Sequence, residues 1–202
     1  FIFAYKQLKS KLDTIVFSVP SGNFGNICAG MMAQKLGLPV NHFIASNNKN
    51  DVVTEYLRTR SYDPKPSVQT ISNAMDVGNP SNFIRILEIY NNDFESLSNS
   101  LSSYSFNDEE TKAAMLEIYK RYNYIADPHG AVGYLGAKAH QLTDPDAHYV
   151  FLETAHPTKF LDVVEEVIQK KIELPDQIKE VIDKEKSSVR IDTYSALKEF
   201  LI

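Results

Sequence analysis

Apolar and polar positions run in blocks along this chain. Thr14-Ile15-Val16-Phe17-Ser18-Val19 is β-branched and apolar, the signature of a strand buried on both faces. Pro20-Ser21-Gly22-Asn23-Phe24-Gly25-Asn26 breaks it. A helix is predicted from about Ile27 to Leu36, closed by Gly37 with Pro39 just beyond. A second short strand is predicted over Val40–Ala45, then a polar loop from Ser46 to Asn50. Asp51 is a suitable N-cap for a helix through Tyr56 and Leu57. Val68-Gln69-Thr70-Ile71 reads as a further strand and Ser72 to Asn82 as a loop. Apolar residues recur at helical spacing over Phe83–Tyr90, and again over Glu109–Tyr122 behind Asn107 or Asp108 as cap. Between them, Ser96 to Ser105 is Ser-rich and reads as a surface loop. Ala131–His140 is a small-residue helix that starts through Asp127-Pro128-His129-Gly130, and Tyr149-Val150-Phe151-Leu152 is another buried-strand candidate. Pro157 stands where the first turn of a helix to about Lys170 should be. Charged helical segments fill Leu174–Ile202.

Strands alternating with helices predict an α/β fold on a parallel sheet. Only three or four strands are counted, few for a free-standing doubly wound sheet. The opening residues, Phe1-Ile2-Phe3-Ala4-Tyr5-Lys6, enter in mid-pattern on an amphipathic helix running to about Leu12, without Met or cap. Either a processed start or a missing upstream region accounts for this.

Composition adds exclusions. The chain has 202 residues with 43% apolar side chains, enough for a sizeable core, so disorder is not its main state. Twenty-one basic against 26 acidic residues give a net charge of −5, against nucleic acid as the main partner. No apolar run reaches the ~20 residues that span a bilayer, and no signal-peptide pattern is present, so a cytoplasmic, reduced setting is expected. Cys28 is the one cysteine, and the histidines have no metal-type spacing. Neither a metal site nor a thiol enzyme is indicated.

Ligands of open parallel sheets bind beyond the carboxyl ends of the strands. Four polar segments fall there: Ser21–Asn26, Ser46–Asp51, Ser72–Asn82 and Glu153–Lys159. The glycines of the first let the backbone approach a ligand and turn N–H groups one way, and a helix N-terminus follows. Such a turn suits a phosphate. It is equally a tight strand-to-helix turn with no ligand. The dinucleotide fingerprint needs a third glycine and an acid at the end of the next strand, and the nucleotide P-loop needs Gly-Lys-Ser/Thr. Gly22 and Gly25 stand alone, Ile44-Ala45-Ser46-Asn47 carries no acid, and Gly25-Asn26-Ile27 replaces the lysine motif.

Val19-Pro20-Ser21-Gly22-Asn23-Phe24-Gly25-Asn26 resembles the cofactor-phosphate loop of the threonine synthase family, pyridoxal-phosphate enzymes of the tryptophan-synthase-β-like fold. Leu36–Val40, Ala45–Asp51, Ser72–Val77, Asp127–Gly133 and Thr154–Phe160 resemble the same family in the same order. The ordered set covers Ile15 to Val164 and fits the bacterial and fungal branch. The resemblance implies a three-layer parallel-sheet sandwich, part of the large domain of a fold-type-II enzyme. It implies pyridoxal 5'-phosphate as cofactor, cradled by Gly22, Asn23, Phe24, Gly25 and Asn26 together with Ser21. Thr154 would set its hydroxyl against the pyridine nitrogen; otherwise it caps the helix near Pro157. Ser72, Asn73, Asp76 and Asn82 would line the site of a phosphorylated amino acid, O-phospho-L-homoserine; otherwise they bond their own turn. Asp127–Gly130 is a plain helix start or part of the site. His156 contacts a ligand or packs at the helix start.

The family's Schiff-base Lys lies in a Phe-Lys-Asp motif well ahead of the phosphate loop. Lys6, Lys9 and Lys11 lack that context. Residues 1–202 are therefore expected to be a C-terminal part of the catalytic domain, inactive alone, with no catalytic residue assigned here and the N-terminal part of the same enzyme as partner. Two alternatives stay open: a related pyridoxal-phosphate dehydratase or synthase, and a non-catalytic phosphate-binding α/β module.

Overall fold

A computed structural model of the chain describes residues 1–10 and 13–202. It divides into two units, Phe1–Lys171 and Ile172–Ile202. The opening helix, placed to about Leu12 from the sequence, ends at Leu8, and positions 11 and 12 lie outside the described residues.

In the first unit, β1 (Ile15–Pro20), β2 (His42–Asn47), β3 (Leu101–Ser105) and β4 (His148–Phe151) form one parallel sheet in the order β3-β2-β1-β4. Every residue of β1 is buried. It pairs with β2 from Val16 opposite His42 to Pro20 opposite Ser46, and with β4 from Ile15 opposite His148 to Ser18 opposite Phe151. Helices cover both faces, giving the α/β three-layer arrangement that the alternating elements predict.

Alternate residues of β1 serve alternate faces. Ile15, Phe17 and Val19 join Phe43 and Ala45 in the main core, under α1 (Ile2–Leu8) and α2 (Gly25–Lys35). The Phe1 ring closes this core edge-on to Phe17 and Phe43, with centroids 5.2 and 5.7 Å apart. The same core takes in Val53 and Tyr56 of α3 (Val52–Thr59), Phe83 and Ile86 of α4 (Phe83–Ile89) and Leu97 of α5 (Phe94–Ser98).

The opposite face carries hydroxyls. Ser18 Oγ lies 2.8 Å from Ser46 Oγ and donates to the Gly133 carbonyl at 2.6 Å. Gly133 belongs to α7 (Pro128–His140). A Cβ on Gly136, one turn along, would meet Ser46 Oγ at 1.9 Å, so only glycine lets this helix lie against the two serines. Outside α7 pack α6 (Asp108–Tyr122) and then α8 (Leu161–Ile168). A capping box starts α6: Asn107 accepts from the Glu110 amide, and Glu110 accepts from the Asn107 amide.

Four expectations are corrected. The Ser-rich stretch is α5 followed by the edge strand β3, not a loop. Ser103 Oγ donates to the Ala45 carbonyl and lies 2.7 Å from Thr54 Oγ1, so hydroxyls replace apolar contacts on this strand. Val68–Ile71 is not a strand. Its amides pair with side chains, Val68 N–H with Asn50 Oδ1 and Thr70 N–H with Asp76 Oδ2. The strand at 148–151 is a half-exposed edge rather than a buried one. Finally, Pro157 opens a 3-10 turn, Pro157–Phe160, and the α-helix starts only at Leu161.

The second unit, Ile172–Ile202, holds two short helices, α9 (Asp176–Lys179) and α10 (Tyr194–Leu201), as its charged pattern suggests. Lys179 pairs with Glu173 and Asp176 on the surface, and Thr193 caps α10 by accepting from the Ala196 amide.

Two stacked histidines mark the lower end of the sheet. The His42 and His140 rings lie 4.9 Å apart and nearly parallel. Burial first, then the neighbouring His140, lower His42 against the Asn99 carbonyl and Asp144, which act the other way, to about 4. Burial also lowers His140, against Asp144. A base whose folded value is depressed stabilises the fold above its unfolded value and loses that contribution as pH falls through the folded one. Unfolding free energy should therefore drop by on the order of 2 kcal/mol between about pH 6.5 and pH 4. Urea titrations across that range should show the drop, and His42→Gln should reduce it.

Candidate active site

The four polar segments converge at the carboxyl end of the sheet, as the parallel topology requires. The turn after β1 runs from Ser21 to the start of α2. Ser21 is buried with both donors used, its N–H on the Ser46 carbonyl at 2.9 Å and its hydroxyl on Val19 O at 2.8 Å. The next six residues differ. Among the described residues, no protein acceptor meets the N–H groups of Gly22, Asn23, Phe24, Gly25, Asn26 or Ile27, and the intrahelical ladder begins at Cys28 N–H to Phe24 O. Phe24 has φ of 60°, and a left-handed residue followed by a helical one gathers successive N–H groups into a concavity for an anion. Residues Pro20–Ile27 line a pocket of about 100 Å3 there.

The turn is held from behind. Asn23 Oδ1 accepts from the Ser81 amide at 2.6 Å and its hydroxyl at 3.0 Å, and Asn82 Nδ2 donates to the Asn23 carbonyl at 3.0 Å. Phe24, 2% exposed, packs edge-on against Phe83. A Cβ on Gly22 would lie 2.5 Å from the Met75 Cα, so the turn touches the backbone of the Ser72–Asn82 loop directly.

That loop is tied to the one after β2. Asp76 accepts from Thr70 N–H, Thr70 Oγ1, Asn48 Nδ2 and Asn50 Nδ2 at 2.7–3.1 Å. Ser72 Oγ accepts from Asn48 Nδ2 at 3.1 Å. Of the four residues expected to meet substrate, Ser72 and Asp76 therefore face this inner network and Asn82 braces the glycine turn. Asn73 is exposed in a 3-10 turn, its side chain without a protein hydrogen bond among the described residues. The roles of Asn48 and Asn50 had no signal beyond the polarity of their loop.

Thr154 follows β4, exposed, with no protein partner for its hydroxyl among the described residues. It does not cap the next helix: His156 Nδ1 does, accepting from the Thr158 amide at 3.2 Å. His156 thus sits at the helix start. Asp127 caps α7, accepting from the His129 amide. A cavity of about 840 Å3 lies along β4, α6 and α7 and is lined partly by Tyr122, Tyr134 and Tyr149. It does not include the glycine turn or Thr154, so its size does not locate the chemistry. Among the described residues, no cluster of metal-ligating side chains occurs, and no helix is long and apolar enough to cross a membrane.

Comparison with known proteins follows this geometry. A family model described as pyridoxal-phosphate dependent enzyme matches residues 2–154. The chain belongs to that family. A second model, described as threonine synthase, C-terminal, matches residues 130–201. The family member from Haemophilus influenzae, a threonine synthase, is 42% identical over 170 residues, covering 84% of this chain and 39% of the relative. The crystal structure of threonine synthase from Escherichia coli superposes with a TM-score of 0.82 at 37% identity, over 93% of this chain and 43% of that one. A PLP-bound threonine synthase structure from Brucella melitensis gives 0.85 at 28% identity, over 98% and 48%. The chain spans about two fifths to half of the length of these relatives, and its fold is that of their corresponding part.

The Asp76 network is separable from any ligand role. Asp76→Ala removes an acceptor shared by four donors, of which the Thr70 amide has no other, and should cost about 1–3 kcal/mol of stability in urea unfolding. An Asp that only faced a ligand would change stability by less than about 0.5 kcal/mol.

Proposed function

We propose that this chain is the C-terminal part of a threonine synthase, converting O-phospho-L-homoserine and water to L-threonine and phosphate. One observation carries the reading: among the described residues, six consecutive N–H groups, Gly22 to Ile27, have no protein acceptor, while the turn is braced through Asn23. Unpaired amides that a fold holds in place are suited to an anion. The residues fit the phosphate of pyridoxal 5'-phosphate, with Ser21 anchoring the turn and Gly22, Asn23, Phe24, Gly25 and Asn26 presenting their amides.

When bound, this cofactor supplies an electron sink for carbanion chemistry at the substrate amino acid. The free hydroxyl of Thr154 is the partner for the ring nitrogen. A hydroxyl is neutral and, unlike a carboxylate, does not require that nitrogen to be protonated. Such a partner tempers the electron sink and suits elimination and replacement. Asn73 and the braced turn around Asn82 supply part of the substrate wall, while Ser72 and Asp76 hold that wall in place. The Lys that anchors the cofactor and moves protons comes from the part of the enzyme outside these residues, which is this chain's partner. The reading places the enzyme in the cytoplasm.

The test has two arms. Pyridoxal phosphate should bind the 202-residue chain, with a shift of its 31P resonance, and pyridoxal without phosphate should bind at least about tenfold more weakly. Gly22→Ala, which drives a methyl group into the Met75 backbone, should abolish the difference. The complete enzyme should release phosphate from O-phospho-L-homoserine and no ammonia from serine or threonine. Ammonia release without phosphate release would replace this reading with a dehydratase.

A further inference from the structure

A second cluster of buried polar groups lies where α7 begins and β4 ends. Asp127 Oδ1 accepts from the His129 amide at 2.6 Å and from His129 Nδ1 at 2.7 Å. Both residues are nearly inaccessible, at 0% and 2% exposure. Glu153 reaches the same place: its carboxylate rests on Gly130, where an added Cβ would meet Oε1 at 2.2 Å. Three buried atoms are left without a partner: Asp127 Oδ2, His129 Nε2 and Glu153 Oε1. No lysine or arginine pairs with either carboxyl among the described residues. The other groups facing the cluster are the Tyr124 hydroxyl and the apolar ring of Phe160, 4.8 Å from the His129 ring.

Two ionised carboxylates cannot remain neighbours in a dry site without a cation or donors. Asp127 has donors on one oxygen only; Glu153 Oε1 has none. One added proton resolves both orphans, because Glu153 then donates and Asp127 Oδ2 accepts. We infer that Glu153 is held as the neutral acid, hydrogen-bonded to the Asp127 carboxylate, and is a positioning residue that fixes the strand end from which Thr154 projects. The lever is short: Thr154 is the next residue, and pinning the Glu153 side chain to the start of α7 restricts the backbone between them. The electrostatics agree in direction. Burial raises Glu153, and the Asp127 charge raises it further, to about 8. Burial also acts to raise Asp127, but the His129 ring and amide outweigh it and hold Asp127 below its ordinary range. The same contact makes His129 Nδ1 the donor to Asp127 Oδ1.

The proposal rests on the reading of Thr154 as a cofactor contact, yet its test needs no cofactor. The sign follows from the raised value: the neutral acid stabilises the fold fully below its unfolded value of 4.5, and the contribution is lost as pH rises through about 8. Side-chain carboxyl resonances of the 13C-labelled 202-residue chain should show Glu153, assigned by its disappearance in Glu153→Gln, titrating in the weakly alkaline range. Asp127→Asn, which removes the like charge, should lower that midpoint by about one pH unit or more. The Thr154 amide should move with the Glu153 midpoint in the wild type and stay still in Glu153→Gln, whose neutral amide retains the fold at alkaline pH. A Glu153 that titrates in the ordinary carboxylate range overturns the held proton. A Thr154 amide blind to an alkaline Glu153 titration overturns the positioning role. Neither result touches the phosphate cradle, and a failure of pyridoxal phosphate to bind leaves both readouts intact.

Discussion

The seat of α7 on the sheet is the contact from which the rest of the site is built. Two serine hydroxyls, Ser18 and Ser46, meet in the interior 2.8 Å apart, and Ser18 donates to the Gly133 carbonyl. Buried hydroxyls are costly without partners, so β1, β2 and the helix are constrained to this one arrangement. The glycine at 136 removes the side chain that would hold the helix away. Once α7 lies here, its N-terminus, with Asp127 and His129, is delivered to the carboxyl end of β1 and β4, beside Glu153 and Thr154. α6 and α8 then cover it from outside. An apolar seat would have tolerated sliding; a hydroxyl donating to a helix carbonyl does not.

The glycine turn after β1 is held in a different way. Phe24 sits in the left-handed region, at about 1–2 kcal/mol for a residue with a side chain. Burying its ring returns a comparable amount, about 1.5–3 kcal/mol, and Phe83 takes the ring edge-on. The strained residue is thus also a core residue. Core packing fixes the backbone conformation that collects the amides, while Asn23, Ser81 and Asn82 hold the other side.

What was legible in the sequence follows from what each residue type can be used for. The β1 run and the glycine turn were readable, because a branched apolar run and a Gly-rich break have few structural uses. The order of motifs located the family for the same reason. The β3 strand was not, because its hydroxyls satisfy themselves on Ala45 O and Thr54, a use indistinguishable in composition from a polar loop. Val68–Ile71 misled in the opposite sense: its branched residues look like a strand, but the Asn50 and Asp76 side chains take the amides a neighbouring strand would have paired. At the candidate site, the positions of Gly22–Asn26 and Thr154 were legible, whereas the allocation of Ser72, Asp76 and Asn82 to bracing was not. Allocation depends on partners distant in sequence, such as Asn48 and Asn23.

Three carboxylates, one buried and two half-buried, show how far environment outranks residue type. Asp76 is met by four donors, from the backbone and from neutral side chains. It therefore holds two loops together as an acceptor and needs no cation. Asp127 is met on one oxygen by a ring and an amide of the same residue, which orients the imidazole and leaves the other oxygen bare. Glu153 is met by no donor at Oε1 and by a carboxylate nearby. Three acids at one end of one sheet thus span the range from fully satisfied to unsatisfied. The least satisfied of the three, Glu153, stands directly before Thr154, whose hydroxyl has no protein partner among the described residues. On the reading proposed above, that placement suits Thr154, because a neutral Glu153 ties down the backbone without setting a negative charge beside it.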